Sequence, residues 1–219
     1  MRLNEETVLV GSSVVLVPYR KEHVPQYHEW MQSPILQEQT ASEPLTLEQE
    51  YEMQAKWHLD EDKLTFIVLH KEDAESAESV ERLLARCRMA GDVNVFLSED
   101  AEEEEEDEGA RTQKQLRGEM EVMIAEPSLR RHGLASQALQ LLMHYVTQEQ
   151  PTSKRPLLSP FNLFVKVGLS NSPSRALFAR LGFEEVKVSE VWQEVEMRYT
   201  RGEGSAGMPP QRVLRWARD

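Results

Sequence analysis

Residues 119–145 read EMEVMIAEPSLRRHGLASQALQLLMHY, and the change of period inside this stretch decides the fold. Met120 to Ile124 alternate as the two faces of a strand require. From Leu134 the apolar residues recur at helical spacing through Ala138, Leu141, Leu142 and Tyr145. The spacing predicts a strand running into a helix. The join is Pro127-Ser128-Leu129-Arg130-Arg131-His132-Gly133-Leu134-Ala135. Pro127 has no amide hydrogen and ends the ladder, and Gly133 and Ala135 are small where the helix begins, so backbone can approach a ligand. A helix start presents unpaired N–H groups and about half a positive charge. With Arg130, Arg131 and His132 around it, the turn suits a pyrophosphate. Its pattern, Arg-x-x-Gly-x-Ala, lacks the Lys-Ser/Thr of a triphosphate loop and is not Gly-x-Gly-x-x-Gly, so neither ATP nor a dinucleotide is the first choice.

A second block lies downstream. A strand over Phe161 to Val167 leads through Gly168-Leu169-Ser170-Asn171 into Ser172-Pro173-Ser174-Arg175-Ala176-Leu177-Phe178-Ala179-Arg180-Leu181-Gly182-Phe183. Ser172 is suited to cap this helix, Pro173 to its first turn and Gly182 to its C-terminal stop.

These blocks, in this order, resemble the GNAT superfamily of acetyl-CoA-dependent N-acetyltransferases. Val14 to Tyr19, Ser33 to Leu36 and Pro44 to Gln49 are similar to the branch typified by RimJ and RimL, which acetylate protein amino termini. Gly91-Asp92-Val93-Asn94-Val95-Phe96 and Met123-Ile124-Ala125-Glu126-Pro127-Ser128 narrow the resemblance to the N-acetyltransferase 9-like group. The resemblance implies an α/β fold with a central mixed sheet of about seven strands flanked by helices, covering about residues 1–199. It also implies acetyl-CoA as co-substrate, no metal, and a protein or peptide amine, either an α-amine or a lysine, as acceptor.

Site residues follow from the same resemblance. Strands at Met123 and Val165 would splay apart, leaving the backbone of Met123, Ile124 and Ala125 to pair with pantetheine amides. A bulge in this strand would aim an N–H at the thioester oxygen. Amides from Arg130 through Arg131, His132, Gly133, Leu134 and Ala135 would hold the pyrophosphate, with the Ser136 hydroxyl, Asn171 and Arg175 assisting. Glu121 and Glu119 on the cofactor strand, and Glu43 on the substrate loop, are the acids able to take a proton from the amine. Many relatives place a tyrosine where this chain has Phe178, which has no proton to give a departing thiolate. Ser174 is the substitute, with water behind it.

Composition bounds the reading. The net charge is −13, but nine of the acids fall between Glu99 and Glu108, leaving −4 for the rest. The acidity belongs to a solvated loop over 99–110. No basic stripe with interleaved aromatics argues for nucleic acid, no apolar run is long enough to span a bilayer, and the first residues do not read as a signal peptide. The single cysteine, Cys87, excludes an internal disulfide and fits a reducing, cytoplasmic setting.

Along the chain, the patterns predict strands at Val14–Tyr19, Leu64–His70, Met89–Leu97, Glu184–Glu190 and Val191–Thr200 besides the two above. Helices are expected over Glu22–Met31 and, from the capping box Thr46-Leu47-Glu48-Gln49, over Leu47–Leu59. His23 and His28 read as packing or surface residues. Residues 33–45 read as loop, residues 71–88 as a variable insert with a short helix through Val80, Leu83 and Leu84, and residues 200–219 as a flexible tail. Two functions compete: an active protein N-acetyltransferase, or a weakly active or inactive acyl-CoA-binding protein associated with microtubules through tubulin. Acetylation of a small polyamine or antibiotic would need an acidic groove that the acidic run is too distant to form.

Overall fold

The computed structural model describes residues 2–72, 79–100, 115–148, 157–202 and 206–217; most of the acidic run, part of the 71–88 insert and 149–156 lie outside these. The first half holds β1 (Thr7–Val10), β2 (Val14–Pro18), α1 (Val24–Trp30), α2 (Pro34–Gln39), α3 (Leu47–Leu59), β3 (Lys63–Lys71), α4 (Val80–Leu84) and β4 (Cys87–Asp100). Then come β5 (Gln115–Ile124), α5 (Leu134–Thr147), β6 (Leu163–Gly168), α6 (Ser172–Leu181), β7 (Phe183–Ser189), β8 (Glu194–Tyr199) and β9 (Arg212–Arg215). The strands form one sheet in the order β7-β8-β6-β5-β4-β3-β2-β1-β9. Its only parallel pair among the described strands is β5 with β6.

The sheet has nine strands rather than about seven. The two unforeseen ones are β1 and β9, four residues each, which lie side by side at one end of the sheet. The segment expected as loop after Ser33 contains α2, which starts on Pro34 and buries Leu36. Several local signals held. In the capping box before α3, Gln49 N–H donates to the Thr46 hydroxyl at 3.2 Å and Thr46 N–H to the Gln49 side chain at 2.9 Å. Gly182 stops α6 in the left-handed region at φ 99°.

Parity distributes the core. On β5, Met120, Val122 and Ile124 face α5 and join Leu134, Ala138, Leu141 and Leu142, while Met123 and Ala125 face α1 and join Tyr27 and Trp30. The strand central to the site is therefore clamped on both faces. The side chain of Gln137 on α5 accepts N–H bonds from Ser13 and Val14 at 2.9 and 2.8 Å, tying this helix to the β1–β2 turn.

Residues 206–217 are not a free tail. Met208 N–H donates to the Gln140 carbonyl at 3.0 Å, Gln211 N–H to Val10 at 2.7 Å and Trp216 N–H to Glu6 at 2.8 Å. The Trp216 ring lies 3.8 Å from the Arg20 guanidinium and edge-on to His23. The unpaired edge of β1 supplies what the local pattern Arg-Val-Leu-Arg lacks, namely backbone partners. His23 is a packing histidine: its Nδ1 accepts from Arg20 N–H, and burial lowers its pKa to about 4. Trp216→Ala is expected to cost about 2 kcal/mol from lost apolar cover and cation–π contact. A lower urea midpoint at unchanged slope is the readout.

Candidate active site

The turn into α5 is built by two positive-φ residues and one arginine. Arg131 at φ 68° and Gly133 at φ 78° reverse the chain, and Gly133 is the N-cap with no side-chain bond at the helix start. The first helical bond runs from Gln137 N–H to the Gly133 carbonyl at 3.1 Å. Amides of Arg131, His132 and Gly133 have no hydrogen-bond partner among the described residues, and Leu134, Ala135 and Ser136 begin the helix with no acceptor a turn earlier. Arg131, His132 and Gly133 are exposed, and a Cβ on Gly133 would meet nothing within 4 Å. The turn thus presents exposed, uncapped backbone at the start of α5.

Arg130 does different work from that expected. Its Nε donates to the Ile124 carbonyl at 2.9 Å and its Nη2 to the Ala125 carbonyl at 3.1 Å, while its own amide donates to Pro127. The guanidinium fastens the turn to the end of β5 and its amide is spent.

β5 and β6 pair only at Gly118↔Leu163 and Glu119↔Phe164. Beyond that point β5 continues alongside β4 alone, and β6 alongside β8, so the parallel strands part. Which amides face the gap follows from the ladder. Ala125 N–H donates to the Ala90 carbonyl at 2.8 Å, so alternation turns Met123 and Ala125 toward β4 and Val122 and Ile124 toward β6. Of Met123, Ile124 and Ala125, only Ile124 offers its N–H to the gap, and Val122 joins it. β5 pairs regularly with β4 as far as Ile124. Just past it the Ala125 and Glu126 amides both donate to the Ala90 carbonyl, at 2.8 and 3.2 Å, where β4 also shifts register against β3 opposite Val68 and Leu69. There Gly91 passes so close to β5 that a Cβ would lie 1.8 Å from the Met123 carbonyl oxygen and 3.0 Å from Ile124 Cα. Gly91→Ala must push the end of β5 aside, at about 3 kcal/mol. A fall in Tm of roughly 10 °C is the expected result.

The acids sort themselves by surroundings. Glu119 is half-buried and paired with Lys166 at 2.9 Å. Glu121, two residues along the same face, is reached by solvent but stands among protein groups on its other sides. Desolvation raises its pKa to about 7, reinforced by the charges of Glu119 and Asp92 and opposed by Lys166. Glu43 is exposed in the extended segment before α3, outside the contacts of this group. Beneath α1, Asp92 is buried, accepting from the Asn94 side-chain amide at 2.9 Å and from the Tyr27 hydroxyl at 3.4 Å. Burial lifts its pKa to about 6, with both hydrogen bonds pulling the other way. Trp30 on the same helix donates to Glu126 at 2.8 Å, holding α1 across the end of β5.

On α6 the cap is Asn171 rather than Ser172: its side-chain oxygen accepts from Ser174 N–H at 3.2 Å. Arg175 is bound to Glu185 at 2.7 and 2.9 Å and to the Leu169 carbonyl at 3.2 Å, so its guanidinium is held by protein groups. Ser174 is half-buried, and Phe178 is buried against Phe183. Tyr27, Asp92, Asn94 and Val122 were given no site role in the sequence reading. The one signal was the polar pair Asp92 and Asn94 at alternate positions among the apolar residues of Met89 to Leu97. A separate open groove of about 470 Å³, lined by Arg20, Lys21, Gln54 and His58 among others, borders none of the expected site residues. Among the described residues no helix is long and apolar enough to cross a membrane.

The profile of the acetyltransferase (GNAT) domain matches residues 13–184, the span that holds β2 through the start of β7. The chain is a GNAT acetyltransferase. It is 48% identical over 198 residues to the mouse alpha/beta-tubulin-N-acetyltransferase 9, covering 90% of this chain and 73% of that one. The human protein of that name is 46% identical over 204 residues, covering 93% and 87%. The solved structure of RimL, a ribosomal L7/L12 α-N-protein acetyltransferase in complex with coenzyme A, superposes with TM-score 0.58 at 15% identity, covering 88% of this chain and 96% of that one. At that identity the likeness speaks for the GNAT fold alone. In this GNAT enzyme, the parted strands and the bare helix start lie at the two ends of one turn that Arg130 braces.

Proposed function

We propose that this enzyme transfers the acetyl group of acetyl-CoA to the α-amine of a cytoplasmic protein, and that tubulin, the acceptor in its relatives' names, is the first acceptor to test. The observation that carries the reading is the row of unpaired amides running from the parted edge of β5 to the start of α5. Those of Arg131 to Ser136 suit a pyrophosphate, and those of Val122 and Ile124 suit pantetheine and the thioester carbonyl, which backbone N–H groups would polarise. The thioester supplies an activated acyl group.

Glu121 then takes the proton of the incoming ammonium. Whatever the base, an α-ammonium of pKa about 8 gives up its proton more readily than a lysine of pKa about 10.4, by about two units. Each unit is worth about 1.4 kcal/mol, so the α-amine is the better-matched acceptor. Glu119, ion-paired, holds Lys166 beside this carboxylate instead of competing with it. Ser174 at the start of α6 stands as the hydroxyl nearest in role to a proton donor for the thiolate, with water as its alternative.

The test is intact-mass measurement of a peptide library, including the tubulin amino termini and internal lysine peptides, incubated with acetyl-CoA. A 42 Da gain, the mass of an added acetyl group, is expected on free α-amines. Gain only on lysine side chains would reverse the acceptor assignment. A non-catalytic reading, in which the chain binds microtubules and turns over poorly, is favoured by Phe178 in the core. It predicts co-sedimentation with microtubules that survives loss of acetyl-CoA binding.

A further inference from the structure

Asp92 is 3% exposed, yet it is an acid on a strand that runs through the middle of the sheet. Registers Asp92↔Met123 and Asn94↔Glu121 put Asp92 and Glu121 on one face of the β4–β5 ladder as diagonal neighbours, a separation within reach of charge interaction. The buried carboxylate of Asp92 is held in place by two hydrogen bonds. Asn94 holds the oxygen Oδ2 from its own strand at 2.9 Å, and Tyr27 closes on the same oxygen from α1 at 3.4 Å. Tyr27 is itself packed between Tyr19 and Trp30, with ring centroids 5.2 and 6.1 Å away. Burying an acid so thoroughly costs stability, and a buried apolar pair would fill the same space more cheaply.

We propose that Asp92 is a positioning residue of the transfer reaction: clamped by Asn94 and Tyr27 beneath α1, its carboxylate, held diagonally to Glu121 across the β4–β5 ladder, keeps Glu121 a strong enough base to work at neutral pH. The inference rests on Glu121 being the base. Other groups bear on the pair. Tyr19 at the end of β2 and Glu50 on α3 lie near Asp92, and Glu50 faces His28 of α1 at 4.0 Å. Glu119 and Lys166 flank Glu121 from β5 and β6 with opposite signs. Glu119 and Lys166, paired with each other, act on Glu121 with opposite signs, and Asp92 adds to Glu119 from the neighbouring strand.

The substitution Asp92→Asn keeps shape and both neighbours while removing the charge. Two readouts are needed on the full chain. The first is the titration of Glu121 by carbon-13 NMR of labelled glutamate carboxyls, assigned by the resonance lost in Glu121→Gln and read without acetyl-CoA. It is expected to fall by about one pH unit in Asp92→Asn. The second is the pH profile of kcat/KM on an acceptor peptide, whose acidic limb is expected to move down by the same amount while the plateau drops several-fold. Tyr27→Phe, which removes one hydrogen bond that favours charged Asp92, is expected to shift both in the same direction by less. It serves also if Asp92→Asn fails to fold. An unmoved Glu121 titration in a folded variant overturns the proposal and leaves Asp92 a structural acid. A titration that moves while the kinetic limb stays put overturns it too, but by showing that Glu121 is not the base. Loss of acetyl transfer in the unsubstituted chain strikes the functional reading instead, and NMR still decides whether Asp92 governs Glu121.

Discussion

Glu121→Gln is expected to lower kcat/KM by about 10²- to 10⁴-fold, the range for losing a general base. Glutamine keeps the size and polarity of the side chain, so the start of α5 and the parted strands should be undisturbed and acetyl-CoA binding retained. The loss should fall on kcat. It should also be greatest near neutral pH, where an unperturbed amine is still mostly charged, and should shrink as the pH approaches the acceptor amine's own pKa of about 8. A loss that is the same at pH 6.5 and at pH 9.5 would remove Glu121 from the proton path.

The same substitution should make the protein slightly more stable. Glu121 has a folded-state pKa of about 7 against 4.5 for the free group, so between these values the folded chain binds more protons than the unfolded one. Stability therefore declines as the pH rises through that window. Glutamine abolishes this contribution, and the gain in Tm over the parent should be larger at pH 8 than at pH 5. Because solvent reaches Glu121, screening holds the effect below about 1 kcal/mol. Activity down and stability up, together, is the signature of a carboxylate held for chemistry.

Gly133→Trp is expected to abolish acetyl-CoA binding. A Cβ there meets nothing within 4 Å, so a large side chain begins in open space at the exposed start of α5, where the diphosphate is proposed to sit. Holding a non-glycine residue at φ 78° costs about 1–2 kcal/mol, too little to unfold the domain. The parent, with acetyl-CoA at about a hundred times its Kd, should gain about 2.7 kcal/mol. For a domain of this size that is a heat shift of roughly 5–10 °C. The tryptophan variant should show none, while Gly133→Ala, which adds only a methyl group in open space, should keep most of it. An undiminished shift in Gly133→Trp would mean that the diphosphate lies elsewhere.

The sites that failed the sequence reading share one cause. Arg130 was expected to offer its amide and Arg175 its guanidinium near the phosphates, but the Arg130 amide donates to Pro127, its guanidinium to carbonyls at the end of β5, and Arg175 is held by Glu185. Met123 and Ala125 were read as cofactor donors because they sit in the right motif. Which edge of a strand an amide faces depends on the register with its neighbour, and no local pattern encodes that register. Asp92 drew no attention as a site residue, since its importance comes from sitting diagonally to a residue nearly thirty positions later on the next strand.

What the chain dictates by itself is whatever a few neighbouring residues can decide: the strand-to-helix change of period around Pro127 and Gly133, the capping box at Thr46 and Gln49, and the left-handed stop at Gly182. Those rest on local sterics and hydrogen bonds within one turn. Only the tertiary structure decided that β9 returns to the bare edge of β1, that Val122 and Ile124 rather than Met123 and Ala125 face the gap, and that Asp92 lies against Glu121. Each of these is a pairing between segments far apart in the chain, and its free energy exists only once the sheet has brought the partners together.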